Sequence, residues 1–183
     1  MHYEKIIKLK DGRSCLLRHA SREDGQAALE NFITAHSQTD YLLTYNDEIT
    51  FTAEEEGDYL QKKADSENEV EILAVVDGVI AATAGIEQIG DKIKLRHLCD
   101  FGISVDRAYW GLGIGRALTE ACIECAKKAG YEQMELQAVA ENERALRLYE
   151  RAGFVEYGRN PRGFKSRLTG YQELVYMRLE LID

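Results

Sequence analysis

Residues 101–130 read FGISVDRAYWGLGIGRALTEACIECAKKAG, and this stretch decides the fold. Its first five residues have the apolar and β-branched character of a strand. From Gly113 to Ala129 the apolar residues recur at steps of three and four, which predicts an amphipathic helix. Gly130 is placed to end that helix. The sequence therefore predicts a strand, a glycine-rich turn and a helix in direct succession.

The turn, Gly111-Leu-Gly-Ile-Gly-Arg116, is a candidate anion site. Glycines let the backbone N–H groups approach a ligand, and the helix directs its positive dipole end at the same place. A plain strand-to-helix turn would use the same glycines, so the turn alone leaves both interpretations open. A Walker A loop would need Lys followed by Ser or Thr, where this chain has Arg116-Ala117. The dinucleotide fingerprint needs a third glycine, but Arg116 and Leu118 occupy its place in the two frames.

The remaining segments predict an α/β fold. Asp77-Gly78 between two apolar runs predicts a two-residue hairpin turn. Residues 38–52 show no clear period and predict a loop. The other expected elements are a strand over 14–20, helices over about 21–37 and 53–64, a three-stranded antiparallel meander over 70–105, a strand over 133–139, a helix over 142–152 and closing strands FVEYG and YQELVYMRLEL. The order is βααβββαβαββ, a mixed sheet with helices.

Composition limits the classes of protein that this chain could be. It has 183 residues, 45% of them hydrophobic and 30% charged, which predicts one globular domain over 1–183. A net charge of −9 argues against nonspecific binding to nucleic acid or to an anionic membrane. No apolar run approaches the roughly 20 residues that span a bilayer, and the N-terminus has no signal-like apolar region. We therefore expect a cytoplasmic protein.

The four cysteines are Cys15, Cys99, Cys122 and Cys125. Cys122 and Cys125 form a C-x-x-C within a helical run, with no second such pair and no His pair nearby. We interpret them as reduced thiols packed on a helix face, and we expect no metal site.

Residues 101–154 resemble the core of the GNAT family of acetyl-CoA-dependent N-acetyltransferases. The strand, the glycine loop and its helix are followed by N-x-x-A-x-x-L-Y-x-x-x-G-F, in the order and spacing of that family. The residues of this last motif are Asn142, Ala145, Leu148, Tyr149, Gly153 and Phe154. The chain departs from the family at Trp110, where Gln or Arg is usual. The resemblance implies a single GNAT-like domain with a mixed, mostly antiparallel sheet flanked by helices.

The resemblance also implies the ligands. Acetyl-CoA would be the co-substrate, and its acetyl group would pass to a primary amine of a small molecule, peptide or protein by direct attack in a ternary complex. Its pantetheine arm would lie along the strand that carries Ile103 and Val105, like an added strand. The implied cofactor-binding residues are Ile103, Ser104, Val105, Gly111, Leu112, Gly113, Ile114, Gly115, Arg116, Asn142 and Tyr149.

Some of these residues have simpler interpretations. Arg107 and Arg116 are the basic side chains best placed to meet phosphate, and a solvated surface role is equally compatible with each. Asn142 caps a helix well without any ligand. Ile103 and Val105 also suit a strand that faces the core. A non-catalytic acyl-CoA-binding module is the alternative function, and a homodimer is left open because dimers are common in similar proteins.

The resemblance implies catalytic roles for two side chains. Tyr149 occupies the family's position for the group that protonates the leaving thiolate, since phenol and thiol have comparable pKa values. Packing of an aromatic side chain in the core is its alternative. Asp100 stands where some amine-acetylating members place an acidic general base. Glu87, His97 and water without a dedicated base are the other candidates.

Overall fold

The computed structural model describes residues 1–182 and is built on one eight-stranded sheet. The strands lie side by side in the order β1-β2-β3-β4-β5-β6-β8-β7, and only β5 and β6 run parallel. This confirms the mixed, mostly antiparallel sheet that the sequence predicted. The strands are β1 (Glu4–Lys8), β2 (Ser14–His19), β3 (Val70–Val76), β4 (Val79–Gln88), β5 (Leu98–Val105), β6 (Gln133–Val139), β7 (Val155–Ser166) and β8 (Gly170–Glu180).

Helices cover both faces of the sheet. The helices are α1 (Gly25–Ser37), α2 (Ala53–Asp65), α3 (Ile114–Ala129) and α4 (Glu143–Arg151). Side chains of β3 alternate between two apolar clusters, so that Ile72 joins the residues of α3 while Leu73 joins Ala28 and Leu60 of α1 and α2. Helices α1 and α2 therefore pack on one face, and α3 and α4 on the other.

The local turn signals are confirmed. Asp77 and Gly78 have φ values of 51° and 81°, as the two-residue turn between β3 and β4 requires. Gly130 has a φ of 83° and its N–H bonds to the carbonyls at the end of α3. A left-handed residue of this kind ends a helix without steric cost when it is glycine.

One strand and two strand boundaries differ from the sequence prediction. Strand β1 was not predicted, because it is an edge strand whose side chains are mostly exposed and show no buried alternation. The third strand of the meander begins at Leu98, and Ile93–Leu95 form a short 3₁₀ turn instead. Strand β7 continues to Ser166, well beyond the FVEYG segment, because it pairs with β8 across a register shift.

All four cysteines are free and buried. Cys122 and Cys125 lie on the core-facing side of α3, which confirms the packing interpretation. Burial raises the pKa of the Cys125 thiol to about 11, so the thiol stays protonated and unreactive at neutral pH. Across residues 1–182, the helices are too short or too polar to cross a bilayer.

Candidate active site

Strands β5 and β6 separate near the middle of the sheet. They pair only from Leu98 to Asp100, opposite Gln133 to Glu135. Beyond that point β5 stays paired with β4 up to Val105, and β6 stays paired with β8 up to Val139. The edge of β5 that faces β6 therefore has no strand partner after Asp100, and its backbone groups can bond to an extended ligand.

A cavity of about 960 Å³ opens at this separation. It is lined on one side by the glycine loop, the start of α3 and part of α4, and on the other by Ala35, Thr39, Tyr41 and Leu42. Most of the sequence-predicted cofactor residues meet here. These are Ile103, Ser104, Val105, Gly111, Gly113, Ile114, Gly115, Arg116, Asn142 and Tyr149.

Leu112 is the exception among the predicted cofactor residues. It is not among the cavity-lining residues, and its side chain packs against the core. Its carbonyl accepts a hydrogen bond from the Lys10 N–H at 3.2 Å. Leu112 therefore anchors the glycine loop to the segment after β1.

The glycine loop has the geometry of an anion cradle. Gly111 and Gly113 have φ values of 83° and 100°, which a side chain would strain. A Cβ placed on either residue would meet no protein atom within 4 Å, so the space beside the backbone is open. The first turn of α3 also directs unpaired N–H groups to this place. These features fit a diphosphate such as that of acetyl-CoA.

Tyr149 lines the cavity, and its hydroxyl is protonated at neutral pH. Its ring packs edge-on against Phe101 and Phe154, with centroids 6.1 and 6.0 Å away. Burial raises the pKa of Tyr149 to about 12, and the hydroxyl makes no hydrogen bond within residues 1–182. The core packing given as the alternative role of Tyr149 is therefore present, the side chain also lines the cavity, and its role as an acid stays a prediction. The hydroxyl is free to donate to a ligand atom.

Asn142 caps α4, because its side chain accepts a hydrogen bond from the Ala145 N–H at 3.3 Å. This confirms the capping interpretation, while the position of Asn142 on the cavity wall leaves a ligand contact as a prediction. Arg116 bonds to Glu120 at 2.7 Å and is mostly solvated. The Arg107 guanidinium lies 5.4 Å from the centroid of the Trp110 ring.

Arg144 is a cavity residue that was not predicted from the sequence. Its guanidinium lies 4.7 Å from the centroid of the Trp110 ring, and both residues line the cavity. One feature of the sequence could have identified Arg144, namely its position two residues after Asn142. This position places Arg144 in the first turn of α4, on the same cavity wall as the glycine loop.

Asp100 lies on the opposite face of the sheet from Tyr149. Cys99 and Phe101 point into the α3 side of the core, so Asp100 points to the side of α1 and α2. The pKa of Asp100 is raised to about 6, by burial of its carboxyl and by the negative charges of Glu87 and Glu135. Because much of the residue is exposed, solvent screens part of this effect.

The candidate bases do not line the cavity. Asp100 is three residues from Ile103, roughly 10 Å along the strand. Glu87 pairs with Asp100 across β4 and β5, but it accepts hydrogen bonds from Tyr59 and Lys63 at 2.5 and 2.8 Å. Burial would raise the pKa of Glu87, yet these bonds outweigh it and leave the pKa below its usual value. His97 precedes β5 and is exposed, roughly 20 Å along the chain from Ile103.

The loop between α1 and α2 is fastened to the β7–β8 hairpin. The Asp40 carboxylate accepts hydrogen bonds from Ser166 Oγ at 2.5 Å and Gln172 Nε2 at 3.2 Å. This loop carries Tyr41 and Leu42, which line the cavity. No local sequence motif marks this contact, because the partners of Asp40 are more than 120 residues away.

Comparison with known proteins agrees with this geometry. Solved structures with this fold include a GNAT-family acetyltransferase from Streptococcus pneumoniae, which is 30% identical with a TM-score of 0.85 over 91% of this chain and 99% of that one. A Salmonella typhimurium protein, yncA, described with acetyl-CoA as its cofactor, is 20% identical with a TM-score of 0.81 over 92% of this chain and 95% of that one.

Sequence comparison points to the same family. L-amino acid N-acetyltransferase AaaT of Escherichia coli is 24% identical over 88% of this chain and 95% of that protein. Residues 31–154 match the model of the acetyltransferase (GNAT) family, and this range contains the glycine loop, Asn142 and Tyr149. The chain belongs to the GNAT family of N-acetyltransferases, whose acyl donor is acetyl-CoA.

Proposed function

We propose that the chain transfers an acetyl group from acetyl-CoA to a primary amine of a small molecule, peptide or protein by direct attack in a ternary complex. One observation carries this proposal, namely that a single cavity is lined from both faces of the sheet. The glycine loop and Tyr149 contribute from the side of α3 and α4. Thr39, Tyr41 and Leu42 contribute from the side of α1 and α2. Donor and acceptor can therefore meet at the gap between β5 and β6.

The donor side of the cavity suits the parts of acetyl-CoA, which supplies an activated acetyl thioester when bound. The open glycine loop would hold the diphosphate through backbone N–H groups. The free edge of β5 near Ile103 and Val105 would bond to the amides of the pantetheine arm. A backbone N–H near Ile103 would also stabilise negative charge on the thioester oxygen.

Tyr149 would supply the proton for the leaving sulfur. Its raised pKa keeps the hydroxyl protonated at neutral pH, and it has no competing partner in the described part of the chain. The phenol can then donate as negative charge develops on the sulfur. An unpartnered hydroxyl in the cavity supports a catalytic enzyme over a module that only binds acyl-CoA.

Asp100 would accept the proton of the amine. It points to the face where the acceptor would enter, and a pKa of about 6 leaves it ionised at neutral pH yet basic enough to act. Because Asp100 does not line the cavity, the proton would pass through a bridging water. Glu87 is a weaker candidate, since Lys63 and Tyr59 already bond to its carboxylate.

The test is release of free CoA thiol from acetyl-CoA in the presence of amines. Because the E. coli relative is named for L-amino acids and matches over nearly its whole length, free amino acids are the first acceptors to screen. Polyamines and N-terminal peptides follow. Thiol release with at least one amine is the expected result. Tight acetyl-CoA binding without thiol release for any amine would support the non-catalytic binding module instead.

A further inference from the structure

Trp110 forms a fixed aromatic platform beside the glycine loop. Its indole Nε1 donates a hydrogen bond to the Val105 carbonyl at 2.8 Å, which fixes the ring to the end of β5. The residue is 39% exposed and lines the cavity. Two guanidinium groups, those of Arg144 and Arg107, lie over this ring at 4.7 and 5.4 Å from its centroid.

These two guanidinium groups keep their hydrogen-bond donors free. A guanidinium group over an aromatic ring is attracted by the face of the ring. Its N–H groups point outward from the plane's edge and stay available for hydrogen bonds to a ligand. Within residues 1–182 neither Arg107 nor Arg144 forms an ion pair, whereas Arg116 and Arg147 nearby bond to Glu120 and Glu143. Glu141 and Glu143 line the same cavity, but neither pairs with these two cations. Two positioned cations that form no ion pair, in a chain of net charge −9, indicate a site for an anion.

The covalent structure of the donor suggests which anion this is. The glycine loop begins at the residue after Trp110, and its backbone N–H groups suffice for the diphosphate of CoA. The nucleoside attached to that diphosphate must then lie within reach of Trp110 and Arg144. This nucleoside carries a third phosphate, a monoester whose charge and oxygen geometry match the forked donors of arginine. Its adenine base can stack on a guanidinium or an indole.

We propose that Arg144, whose guanidinium lies over the Trp110 ring, binds the 3′-phosphate of the CoA adenosine together with Arg107. The inference rests on the proposed use of acetyl-CoA and adds a recognition site for the phosphorylated nucleoside. Trp110 acts as a positioning residue, because it holds Arg144 and Arg107 near the loop. Where the family usually has Gln or Arg, this chain has Trp110, and the ring of Trp110 holds the guanidinium groups of Arg107 and Arg144 beside the loop.

The experiment compares binding of CoA and dephospho-CoA, which lacks only the 3′-phosphate, by isothermal titration calorimetry. The wild-type protein should prefer CoA. Arg144→Gln should raise the Kd of CoA about tenfold, the scale of a lost charge-assisted hydrogen bond, and leave the Kd of dephospho-CoA within about twofold. Trp110→Leu should also raise the Kd of CoA, because it removes the ring that positions Arg144 and leaves the charge of Arg144 in place.

Arg162→Gln is the matched control. Arg162 also lies over an aromatic ring, 4.9 Å from the centroid of Tyr171, but it is on β7 and does not line the cavity. The substitution Arg162→Gln removes the same charge as Arg144→Gln and should change neither the Kd of CoA nor the Kd of dephospho-CoA. A thermal melt of each variant checks that the fold is retained.

The outcomes separate this inference from the proposed function. Equal weakening of both ligands by Arg144→Gln, or equal affinity of the wild type for both, would overturn the 3′-phosphate site while leaving the donor assignment in place. Binding of neither nucleotide by the wild-type protein would overturn the donor assignment itself. Loss of CoA preference in Arg144→Gln, with Arg162→Gln unchanged, supports the site.

Discussion

Asp100 of β5 lies opposite Glu135 of β6, and theirs is the last pair that joins these two strands. Two carboxylates therefore stand at the point where the sheet divides. Burial, followed by the negative charges of Glu87 and Glu135, raises the pKa of Asp100 to about 6, a range in which a carboxylate can exchange protons near neutral pH. The candidate base therefore lies at the last paired position before the two strands separate.

The pH dependence of the reaction tests Asp100. If its carboxylate accepts the proton of the amine, kcat/KM should fall about tenfold per pH unit below the pKa of about 6. Asp100→Asn should remove this acidic limb and lower the plateau roughly 100-fold. Glu87→Gln is the companion variant, because removing a neighbouring negative charge lowers the pKa of Asp100 and moves the limb to lower pH. An acidic limb that persists in Asp100→Asn would assign the proton to another group.

Tyr149→Phe separates proton donation from packing. The substitution keeps the ring that packs against Phe101 and Phe154, so the melting temperature should change little. If the hydroxyl protonates the leaving sulfur, kcat should fall by roughly 100-fold. The Kd of acetyl-CoA should stay within about twofold, since the hydroxyl acts as charge develops in the transition state. With chemistry rate-limiting, a kcat near that of the wild type would leave Tyr149 as a packing residue only.

Gly113→Val tests the anion cradle. The new side chain would project into open space beside the loop, where the diphosphate would lie, and acetyl-CoA binding should be lost. Gly130→Val, at the far end of α3, is the matched control because its φ is also positive and its Cβ also meets no atom within 4 Å. Both variants carry backbone strain, whereas only Gly113→Val should abolish binding in calorimetry. Equal acetyl-CoA affinity in the two folded variants would contradict the assignment of the loop.

Ionisation of Glu71 should lower the free energy of unfolding as the pH rises. Its side chain is 15% exposed with Lys63 Nζ at 3.8 Å, and burial raises its pKa from 4.5 to about 7. The folded protein therefore holds a proton that the unfolded chain has already released. The free energy of unfolding should decline by about 2 to 3 kcal/mol between pH 4.5 and pH 7 and then level off.

Glu71→Gln should remove most of this decline in urea denaturation, while Glu67→Gln on the surface should not. Asp100 titrates in the same direction, so a smaller slope should remain in Glu71→Gln. An unchanged slope in Glu71→Gln would mean that the carboxyl is already ionised in the folded protein at acidic pH.

Asp40→Ala should affect the acceptor and not the donor. Without the carboxylate, Ser166 loses its 2.5 Å bond to Asp40, and Gln172 keeps only its 3.1 Å bond to the Asp40 backbone carbonyl, so the loop that carries Tyr41 and Leu42 is held less firmly. The KM of the amine should rise several-fold, and the Kd of acetyl-CoA should stay within about twofold. Asp47→Ala is the control, because its ion pair with Arg167 is solvent-exposed and contributes little. Parallel changes in both ligands would show that the loop also shapes the donor site.

Local patterns carried most of the fold prediction. The glycine loop, the Asp77-Gly78 turn and the helix that ends at Gly130 were predictable, because each depends on the conformations that neighbouring residues allow. Strand β1 and the length of β7 depend on which strand lies beside them, and no local signal encodes that. The predicted donor residues rest on compact local motifs of the same kind.

Two parts of the candidate site were not predictable in the same way. Asp40 meets partners from the opposite end of the chain, and Arg144 gains its position from a ring 34 residues away. Single polar residues in a loop or on a helix carry no pattern that identifies such partners. The face on which Asp100 lies was settled by the ladder between β4 and β5, which runs without a register shift.

The bond between Asp40 and the β7–β8 hairpin also constrains how this enzyme can diverge. The wall that carries Tyr41 and Leu42 is assembled from a segment near one end of the chain and a hairpin near the other, while the glycine loop lies between them. Under the proposed function, a change at Asp40 or in the hairpin would therefore alter the position of Tyr41 and Leu42 without a change in either of these two residues. The glycine loop would keep its own geometry, because neither segment belongs to it.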